Sequence, residues 1–382
     1  MDRRVGIVGI GTTGFRATTP DVSYRELTYE AASKAYLDAG IEPQQVGAFV
    51  ATAEDFFEGY SISDEYAPDQ MGAVLKPCHT VPGDFIQSLG NGLMLIQSGF
   101  ADLVVIQGLS KASNMVTKGD LLTMATDPFS WRPLQESPHA IAALEMQRYL
   151  WATHTDREQC AAVVVQNRRQ ALENPHAACG CNLELEDVLG AEPVCSPLGK
   201  YDIAQHADGA VVCVLASEER AASCKREPIW VEGVGWSTET HALDSRTWDE
   251  AVYMKKAAER AYAMADIRSP AAQIDFAEVN DEYAYKQLMH MEALGLCGRG
   301  SAGDFMAMGL AGPEGDLPIN VSGGSLGGGH LFELDGGQKI LESVLQLRGE
   351  AGVNQLDDVH VGLAASWRGV PTTTGAVAVL SN

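Results

Sequence analysis

Apolar residues recur along this chain with two periods, that of a strand and that of a helix. Apolar runs with the length of strands lie at residues 5–9, 46–51, 103–107 and 210–216. Between these runs apolar residues recur every three or four positions, and the first such segment opens with the capping-box pair Ser23 and Glu26. Strands that alternate with helices are typical of α/β proteins. The pattern therefore predicts mostly parallel sheets covered by helices.

The second half of the chain repeats the order of elements in the first half. Helices are predicted at residues 23–40, 85–98, 140–152, 157–173, 248–265, 285–294 and 336–347. Further strands are predicted at residues 229–233, 274–279, 319–321, 359–364 and 375–380. This repetition predicts an N-terminal half over residues 1–225, with a loop region at about 112–205, and a C-terminal half over residues 226–382.

A G-x-G-x-x-G sequence follows the first predicted strand, at Gly9, Gly11 and Gly14. In dinucleotide-binding folds this motif places a pyrophosphate against a helix that begins at once. Here the capped helix begins only after Pro20, and no acidic residue ends a second strand at the expected distance. We therefore interpret the motif as a glycine-rich turn and not as a cofactor site.

Composition and charge narrow the classes of partner. The 382 residues are 46% hydrophobic and 20% charged, which is typical of a folded protein with two domains or a duplicated architecture. The formal net charge of −24 argues against nucleic acid, because phosphate backbones bind basic surfaces. The apolar runs are too short to cross a membrane, and the N-terminus does not resemble a signal peptide. We therefore expect a cytoplasmic location without membrane contact.

The eight cysteines include no C-x-x-C pair, which indicates reduced thiols. His176, Cys179, Cys181 and Cys195 could be considered as zinc ligands. Their C-x-C spacing is unusual for structural zinc, so buried thiols are the favoured interpretation and no metal site is predicted.

Three segments carry residues suited to chemistry. The first is a glycine-rich run that ends in Gly328, Gly329 and His330, between a predicted strand and a predicted helix. Glycines let the backbone approach a ligand and place amides where an oxyanion can bind. A histidine at the end of such a loop favours a catalytic role.

The other two segments follow predicted strands. In residues 278–283, Asn280 could hold a water or a thioester oxygen, or it could cap the next helix. Residues 365–372 form a turn with Trp367, Arg368 and Gly369, and nothing in the turn alone distinguishes chemistry from structure.

These segments, taken in order, resemble the thiolase family over essentially the whole chain, nearest its sterol-carrier-protein-type and archaeal branch. Residues 5–15 are similar to the family's first strand and loop, and residues 167–169, 174–177, 197–198 and 208–210 to the middle region of the branch. Residues 280–283 stand at its Asn-Glu-Ala-Phe or His-Asp-x-Phe motif, and residues 323–330 at its Gly-His-Pro loop. The chain looks closest to the large subunits of benzoylsuccinyl-CoA thiolases.

The resemblance implies a fold, a site and partners. The fold would be two pseudo-duplicated αβαβα halves with mixed five-stranded sheets, in a homodimer at least. His330 would activate a thiol and, with a water on Asn280, hold the thioester oxygen, while Gly328, Gly329 and Gly369 would shape the oxyanion and substrate loops. CoA would be a co-substrate and no cofactor would be permanently bound. Zinc would lie only in a small zinc-ribbon/OB-fold partner subunit that binds the acyl-CoA.

The two sulfur positions of the family are not cysteines here. The position of the nucleophilic cysteine, at the N-terminus of a buried helix where the dipole lowers its pKa, falls on Pro82. Gly83 and Asp84 lie beside it, and Asp84 is the candidate there. The second falls near Ser366 and Trp367. Cys78 lies a few residues upstream of the first position, and Phe85, Trp367 and Arg368 are the predicted pocket residues.

Three explanations for the missing cysteines stay open. CoA thiolate could cleave a 3-oxoacyl-CoA directly with His330 as base, for example benzoylsuccinyl-CoA to benzoyl-CoA and succinyl-CoA in anaerobic toluene degradation. Cys78 could reach the site from an unusual loop. A 3-hydroxyacyl-CoA could undergo retro-aldol cleavage, with Glu282, Tyr283 or Tyr285 as base. A non-catalytic scaffold subunit with the same fold is the remaining alternative.

Overall fold

Strands and helices alternate along the computed structural model, which describes residues 3–54, 63–115, 118–124, 126–240, 242–369 and 373–382. The strands are β1 (Val5–Thr12), β2 (Ala48–Thr52), β3 (Cys78–Val81), β4 (Leu103–Lys111), β5 (Pro193–Cys195), β6 (Leu198–Gly199), β7 (Asp208–Ser217), β8 (Ile229–Thr238), β9 (Phe276–Val279), β10 (Val361–Arg368) and β11 (Thr374–Ser381). The helices are α1 (Tyr24–Ala39), α2 (Ser63–Tyr66), α3 (Pro68–Met71), α4 (Phe85–Gln97), α5 (Lys118–Thr123), α6 (Pro138–Thr153), α7 (Arg157–Gln170), α8 (Leu185–Leu189), α9 (Glu218–Ala221), α10 (Val252–Ala265), α11 (Pro270–Gln273), α12 (Ala284–Ala293), α13 (Ala302–Ala307), α14 (Gly324–Gly328) and α15 (Asp335–Leu347).

Most of these strands belong to one mixed sheet. Within the described ranges it has nine strands in the order β3-β2-β4-β7-β1-β8-β11-β10-β9. The α/β class predicted from the alternation is confirmed, but its mostly parallel character is wrong. Only β2–β3, β2–β4 and β9–β10 are parallel among the described pairs. The strand predicted at residues 319–321 is also wrong, because Ile319 makes only a single bridge to Ala277.

The helices form layers on both sides of this sheet. Helices α4 and α15 share one hydrophobic core with strands from the N-terminal and the C-terminal parts of the sheet. Helix α1 covers the opposite face of the N-terminal strands. Helices α10 and α12 cover the opposite face of the C-terminal strands. The N-terminal and C-terminal parts of the sheet thus lie on either side of α4 and α15. The order of layers is therefore helix, first part of the sheet, helix, second part of the sheet, helix.

The glycines of the G-x-G-x-x-G sequence serve helix packing. Gly9 and Gly11 lie inside β1, and only Gly14 follows it. A Cβ atom at Gly9 or Gly11 would come closer than 3.0 Å to the carbonyl oxygen of Ala35 or Ala31 in α1. The turn predicted for the first two glycines is therefore wrong, and the motif brings a helix onto a strand.

The same contact occurs in the second half. Gly233 and Gly235 lie in β8, and a Cβ atom at either would come closer than 3.0 Å to the carbonyl oxygen of Ala261 or Ala257 in α10. In both halves two glycines of a central strand therefore face two alanines that are four residues apart on the covering helix. This repetition supports an internal duplication, while the division at residue 225 stays a prediction.

Candidate active site

One cavity collects side chains from distant parts of the chain. Its empty volume is about 990 Å³, part of it open to solvent. It is lined by Glu54, Leu122, Pro138, His139, Ile203, Ala204, His206, Glu282, Tyr283, His330, Phe332, Glu333, Trp367, Arg368 and Gly369. The predicted residues His330, Glu282, Tyr283, Trp367, Arg368 and Gly369 thus meet in one place.

The backbone of His330 is held by an extended segment of the N-terminal half. Its N–H donates to the carbonyl of Gln205 at 2.8 Å, and its carbonyl accepts from the N–H of Ala207 at 3.0 Å. Gly329 precedes it with a φ of 106°, a conformation that favours glycine. The Nδ1 atom of His330 lies 2.7 Å from Oδ2 of Asp335. The Nε2 atom is therefore the one left for a ligand in the cavity.

Two carboxylates determine the charge of His330. Burial alone would lower its pKa, but Asp335 and Glu282 overcome burial and raise the pKa to about 9. The Nε2 atom lies 3.9 Å from Oε1 of Glu282. At neutral pH the imidazole is therefore a cation that can donate from Nε2, and not the neutral base that the family resemblance implied.

Asn280 supports this arrangement from behind. It is fully buried and is not among the residues that line the cavity. Its Nδ2 atom donates to Oδ2 of Asp335 at 3.1 Å and lies 3.5 Å from the carbonyl of Trp367. These contacts occupy the amide to which a bound water was assigned. Asn280 therefore orients Asp335, which in turn orients His330.

Glu282 and Tyr283 project into the cavity beside His330. The hydroxyl of Tyr283 lies 3.0 Å from Nδ1 of His139. Burial raises the pKa of Glu282, although the charge of His330 acts against this. Burial, with the nearby Glu282 and Glu145, raises the pKa of Tyr283 well above 10. The phenol is therefore neutral at pH 7.

Asp84 and Ser366, which lie near the two positions predicted for the family's sulfur atoms, form a hydrogen-bonded pair. Asp84 caps α4, accepting from the N–H of Ile86 at 2.8 Å. Its Oδ2 atom also accepts from the hydroxyl of Ser366 at 2.6 Å and from the N–H of Gly336 at 3.0 Å. Burial raises the pKa of Asp84 to about 6. Asp84 is fully occupied by these contacts and does not line the cavity.

None of the thiols reaches the cavity. All eight cysteines lie in the described part of the chain, and none is among the lining residues. Cys78 begins β3 and packs against the core beneath α1. Burial and the nearby Asp64 raise its pKa to about 11. A protonated thiol outside the cavity is not a nucleophile for a ligand inside it.

The remaining predicted residues are placed in different ways. Phe85 is fully buried in the core between the two parts of the sheet. Gly328 and Gly329 are buried next to Gln338 and Ala207 and shape the backbone without lining the cavity. Tyr285 donates to Oε2 of Glu145 at 2.7 Å, away from the cavity.

The rim of the cavity carries a cation. Arg368 forms an ion pair with Glu54 and donates to the carbonyl of Pro82 at 3.3 Å. Gly369 lines the cavity beside it. Val370, Pro371 and Thr372, the end of the third predicted segment, lie outside the described residues.

Sequence reasoning missed His139 and His206. His139 lies in the first turn of α6, and the ring of His206 is stacked on Phe332 at 4.7 Å and lies 5.2 Å from the ring of His330. Neither stands in a glycine-rich loop or at the end of a strand, which were the two signals used. Only the fold brings them to the cavity.

A buried charge cluster behind Trp367 was also missed. Lys286 and Arg246 both pair with Glu145, and all three side chains are buried. The Nζ atom of Lys286 lies 4.3 Å from the centre of the Trp367 ring. Burial lowers the pKa of Lys286 to about 8. The cluster fixes the aromatic wall of the cavity from behind.

Two further kinds of site are absent from the described ranges. No group of three or more His, Cys, Asp or Glu side chains there could hold a metal ion. No helix in those ranges has the length and apolarity needed to cross a membrane.

The chain is similar to known proteins over nearly its whole length. Residues 235–382 match the family "Thiolase C-terminal domain-like". The chain is 30% identical to an acetyl-CoA acetyltransferase of Methanothermobacter thermautotrophicus, covering 99% of this chain and 98% of the relative. It is 28% identical to a 17-hydroxy-3-oxo-4-pregnene-20-carboxyl-CoA lyase of Mycobacterium tuberculosis, covering 98% of each.

A solved structure and a more partial relative complete the comparison. The structure "Ltp2-ChsH2(DUF35) aldolase" superposes with a TM-score of 0.84 at 26% identity, covering 99% of this chain and 97% of that chain. The resemblance to benzoylsuccinyl-CoA thiolase subunit BbsB of Thauera aromatica has 29% identity over 57% of this chain and 56% of the relative.

Proposed function

Because the chain belongs to the thiolase family, in its sterol-carrier-protein-type and archaeal branch, we propose that it cleaves a 3-hydroxyacyl-CoA by retro-aldol chemistry. It is an enzyme of this acyltransferase family. The observation that carries the proposal is the content of the cavity. A cationic His330 lies there beside Glu282 and Tyr283, and no cysteine lines the described walls.

The reaction needs one proton transfer and one place for negative charge. A base removes the proton of the 3-hydroxyl, the C2–C3 bond breaks, and C3 becomes the carbonyl carbon of an aldehyde or ketone. The bonding electrons pass to C2 and the thioester oxygen as an enolate. The proton then returns to C2 and yields the shortened acyl-CoA. No free CoA and no oxidant is consumed.

His330 is placed to stabilise the negative charge on the enolate oxygen by a hydrogen bond from Nε2. Its Nδ1 atom is held by Asp335, so the Nε2–H is fixed in direction before the substrate binds. A donor that is already oriented in a dry site stabilises a developing oxyanion by about 3 kcal/mol. The positive charge of His330 adds to this because it lies in a buried environment.

Glu282 and Tyr283 are the two candidates for the base. They are adjacent in sequence at the end of β9, and both line the cavity. Tyr285, the third residue considered, donates to Glu145 instead. Glu282→Gln and Tyr283→Phe each remove one proton acceptor with little change of shape, so the larger loss of kcat identifies the base.

The relatives support the proposal and suggest a partner. A lyase and an aldolase stand among the proteins similar to this chain along nearly its whole length. The name of the aldolase structure includes a DUF35 protein. A small acyl-CoA-binding subunit of this kind, carrying its own zinc, together with a homodimeric core, is therefore our proposal for the assembly.

Thiolysis is the second candidate. The acetyltransferase and BbsB relatives favour it, with benzoylsuccinyl-CoA as one substrate. Direct attack by CoA needs a base for the thiol, and a neutral His330 is scarce until the pH nears its raised pKa of about 9. Thiolysis at His330 would therefore accelerate with pH, whereas the retro-aldol reaction needs the cation.

The test uses the chain purified with any protein that accompanies it from its host. One assay offers 3-hydroxyacyl-CoAs without free CoA and looks for an aldehyde or ketone. The other offers 3-oxoacyl-CoAs, benzoylsuccinyl-CoA included, with free CoA and looks for two thioesters. His330→Ala should abolish the activity. His360→Ala should not, because His360 is exposed and does not line the cavity.

The outcomes separate the alternatives. Carbonyl product without free CoA supports the proposal. Two thioester products only with free CoA would replace it by thiolysis. A folded assembly that is inactive in both assays would identify a scaffold subunit.

A further inference from the structure

His139 and Tyr283 form a pair whose role in the reaction is unassigned. His139 lies in the first turn of α6, and its backbone N–H donates to the hydroxyl oxygen of Ser137 at 3.3 Å. Its Nδ1 atom lies 3.0 Å from the Tyr283 hydroxyl, and the two rings meet edge to face at 5.9 Å. Both side chains line the cavity that contains His330.

The neighbourhood shifts the pKa values of His139 and His330 in opposite directions. Burial, followed by the positive charge of His330, lowers the pKa of His139. The pKa of His330 is instead raised to about 9. At neutral pH His139 is therefore neutral and His330 is a cation. Titratable groups that are driven apart in this way commonly divide the acid and base roles of an active site.

A neutral phenol is a poor base when it acts alone. Tyr283 holds its proton strongly, because burial and Glu282 both disfavour the phenolate. It can accept a proton from a substrate only if it passes its own proton to a neighbour at the same time. The Nδ1 atom of His139 is at hydrogen-bonding distance and belongs to a neutral imidazole.

We propose that His139 receives the substrate proton through the hydroxyl of Tyr283, so that the two residues together form the base of the retro-aldol reaction. As the C2–C3 bond breaks, the 3-hydroxyl proton passes to Oη of Tyr283, and the tyrosine proton passes to Nδ1 of His139. The new charge on His139 is matched by the enolate oxygen at His330. The protons then return, from Nδ1 to Oη and from Oη to C2, and both residues are restored.

This inference rests on the proposed function and makes it specific. It assigns Glu282 as the ion-pair partner of His330, at 3.9 Å, and not as the base. It also requires a resting tautomer of His139 with the proton on Nε2, since Nδ1 must accept. The charged and titratable groups around His139 in the cavity are Glu54, His206, Glu282, Tyr283, His330, Glu333 and Arg368.

His139→Asn is the central variant, because an asparagine amide can keep a hydrogen bond near the position of Nδ1 but cannot accept a proton. We expect it to lower kcat about 100-fold with little change in KM, and we expect the same of His139→Ala. Tyr283→Phe should cost as much, and the double variant no more than either single one, because both act in one relay. Thermal unfolding of each variant checks the fold.

The pH profile supplies a readout that a structural role would not change. In the wild type, log kcat/KM should fall on the acid side as His139 becomes protonated, and this limb should be absent in His139→Asn. Activity in His139→Asn within a few-fold of wild type would overturn the relay and leave only a positioning role. A loss confined to Glu282→Gln would assign the base to Glu282 instead.

A measurement without turnover keeps the inference separate from the proposed function. Nitrogen-15 NMR of the histidine rings, assigned with the His139→Asn variant, reports the tautomer and the charge of His139. A neutral ring with the proton on Nε2 at pH 7 agrees with the relay. A charged ring, or a proton on Nδ1, overturns it even if the wild type cleaves 3-hydroxyacyl-CoAs. A wild type without any such cleavage overturns the retro-aldol proposal itself.

Discussion

The charge of His330 depends on carboxylates that reach it from two parts of the chain. Asp335 opens α15 and binds Nδ1, while Glu282 follows β9 and faces Nε2. Asn280 holds Asp335 in place through a further hydrogen bond at 3.1 Å. His330 thus depends on three polar neighbours, of which Asp335 and Asn280 are fully buried and hydrogen-bonded to each other.

Asp335→Asn should lower kcat about 100-fold and bring the pKa of His330 down from about 9, because the amide keeps the shape of the contact but not its charge. Steady-state kinetics and histidine NMR measure the two effects. Asp358→Asn is the matched control, since its side chain is 96% exposed and its partner is the exposed His360. A fully active Asp335→Asn variant would contradict the assigned role.

The pH dependence on the alkaline side should follow His330. Its pKa is raised from 6.5 to about 9, so the cation is present at neutral pH and is lost as the pH rises through 9. Retro-aldol activity should therefore decline above about pH 9. The contribution of His330 to stability has the same sign, fully present below pH 6.5 and lost as the pH rises through 9. An activity that instead rises across pH 9 would favour thiolysis.

Helix α4 shows how the elements are tied together without sulfur. Asp84 at its N-terminus accepts hydrogen bonds from Ser366 in β10 and from Gly336 in α15. Asp84, near the position predicted for the family's nucleophile, thereby connects α4, β10 and α15. Such a buried carboxylate with several donors stabilises the structure only while every donor remains in place.

Replacement of Gly11 by Ala should destabilise the contact of β1 with α1. The new methyl group would meet the backbone carbonyl of Ala31, which cannot move aside without shifting the helix. We expect a loss of about 1–3 kcal/mol in the free energy of unfolding, measured by denaturant titration, and a similar loss for Gly235→Ala in β8. Gly119→Ala in α5, where nothing lies within 4 Å, should change stability by less than about 1 kcal/mol. Equal stability of Gly11→Ala and Gly119→Ala would contradict this explanation.

The sequence predicted elements well where local signals mark their ends. Helix α1 begins after the capping box of Ser23 and Glu26 and ends at Gly40, as expected. The strand at residues 319–321 was predicted wrongly, because three apolar residues do not reveal whether a partner strand runs beside them. Strand direction is likewise decided by which strands become neighbours, which local periodicity does not record.

The same contrast between local sequence signals and long-range contacts explains which residues of the candidate site could be predicted. His330 could be predicted because a local glycine-rich loop presents it. His139 could not be predicted, because its proposed role depends on a contact with Tyr283, which is 144 residues away in sequence. The pocket role predicted for Phe85 fails for a similar reason, since its position at the start of α4 does not show that it points into the core.

At the scale of the whole molecule, the cavity is assembled from both halves of the chain. His139 and His206 come from the first half, while Glu282, His330 and Trp367 come from the second. The two parts of the sheet meet where β1 pairs with β8. Neither half alone contains both the donor for the enolate oxygen and the proposed end of the proton relay.

The net charge of −24 should make stability depend on ionic strength. Repulsion among the excess carboxylates destabilises the compact chain, and salt screens it. We expect the midpoint of thermal unfolding at pH 7 to rise by about 2 °C or more between about 20 and 200 mM NaCl. Calorimetry at both salt concentrations measures this. A lower midpoint at high salt would show that surface ion pairs outweigh the repulsion.

The absence of cysteine from the walls of the cavity has a consequence for oxidative stress. A catalytic thiolate is the group that peroxide oxidises first, since oxidation follows thiolate character and exposure. Here burial keeps the pKa of Cys78 at about 11, and none of the thiols lines the described cavity. Catalysis by His330, Tyr283 and His139 would therefore continue under peroxide or alkylating agents that silence a thiolase with a reactive cysteine. Without a cysteine at the described walls of the cavity, the proposed chemistry would not depend on the redox state of the cell.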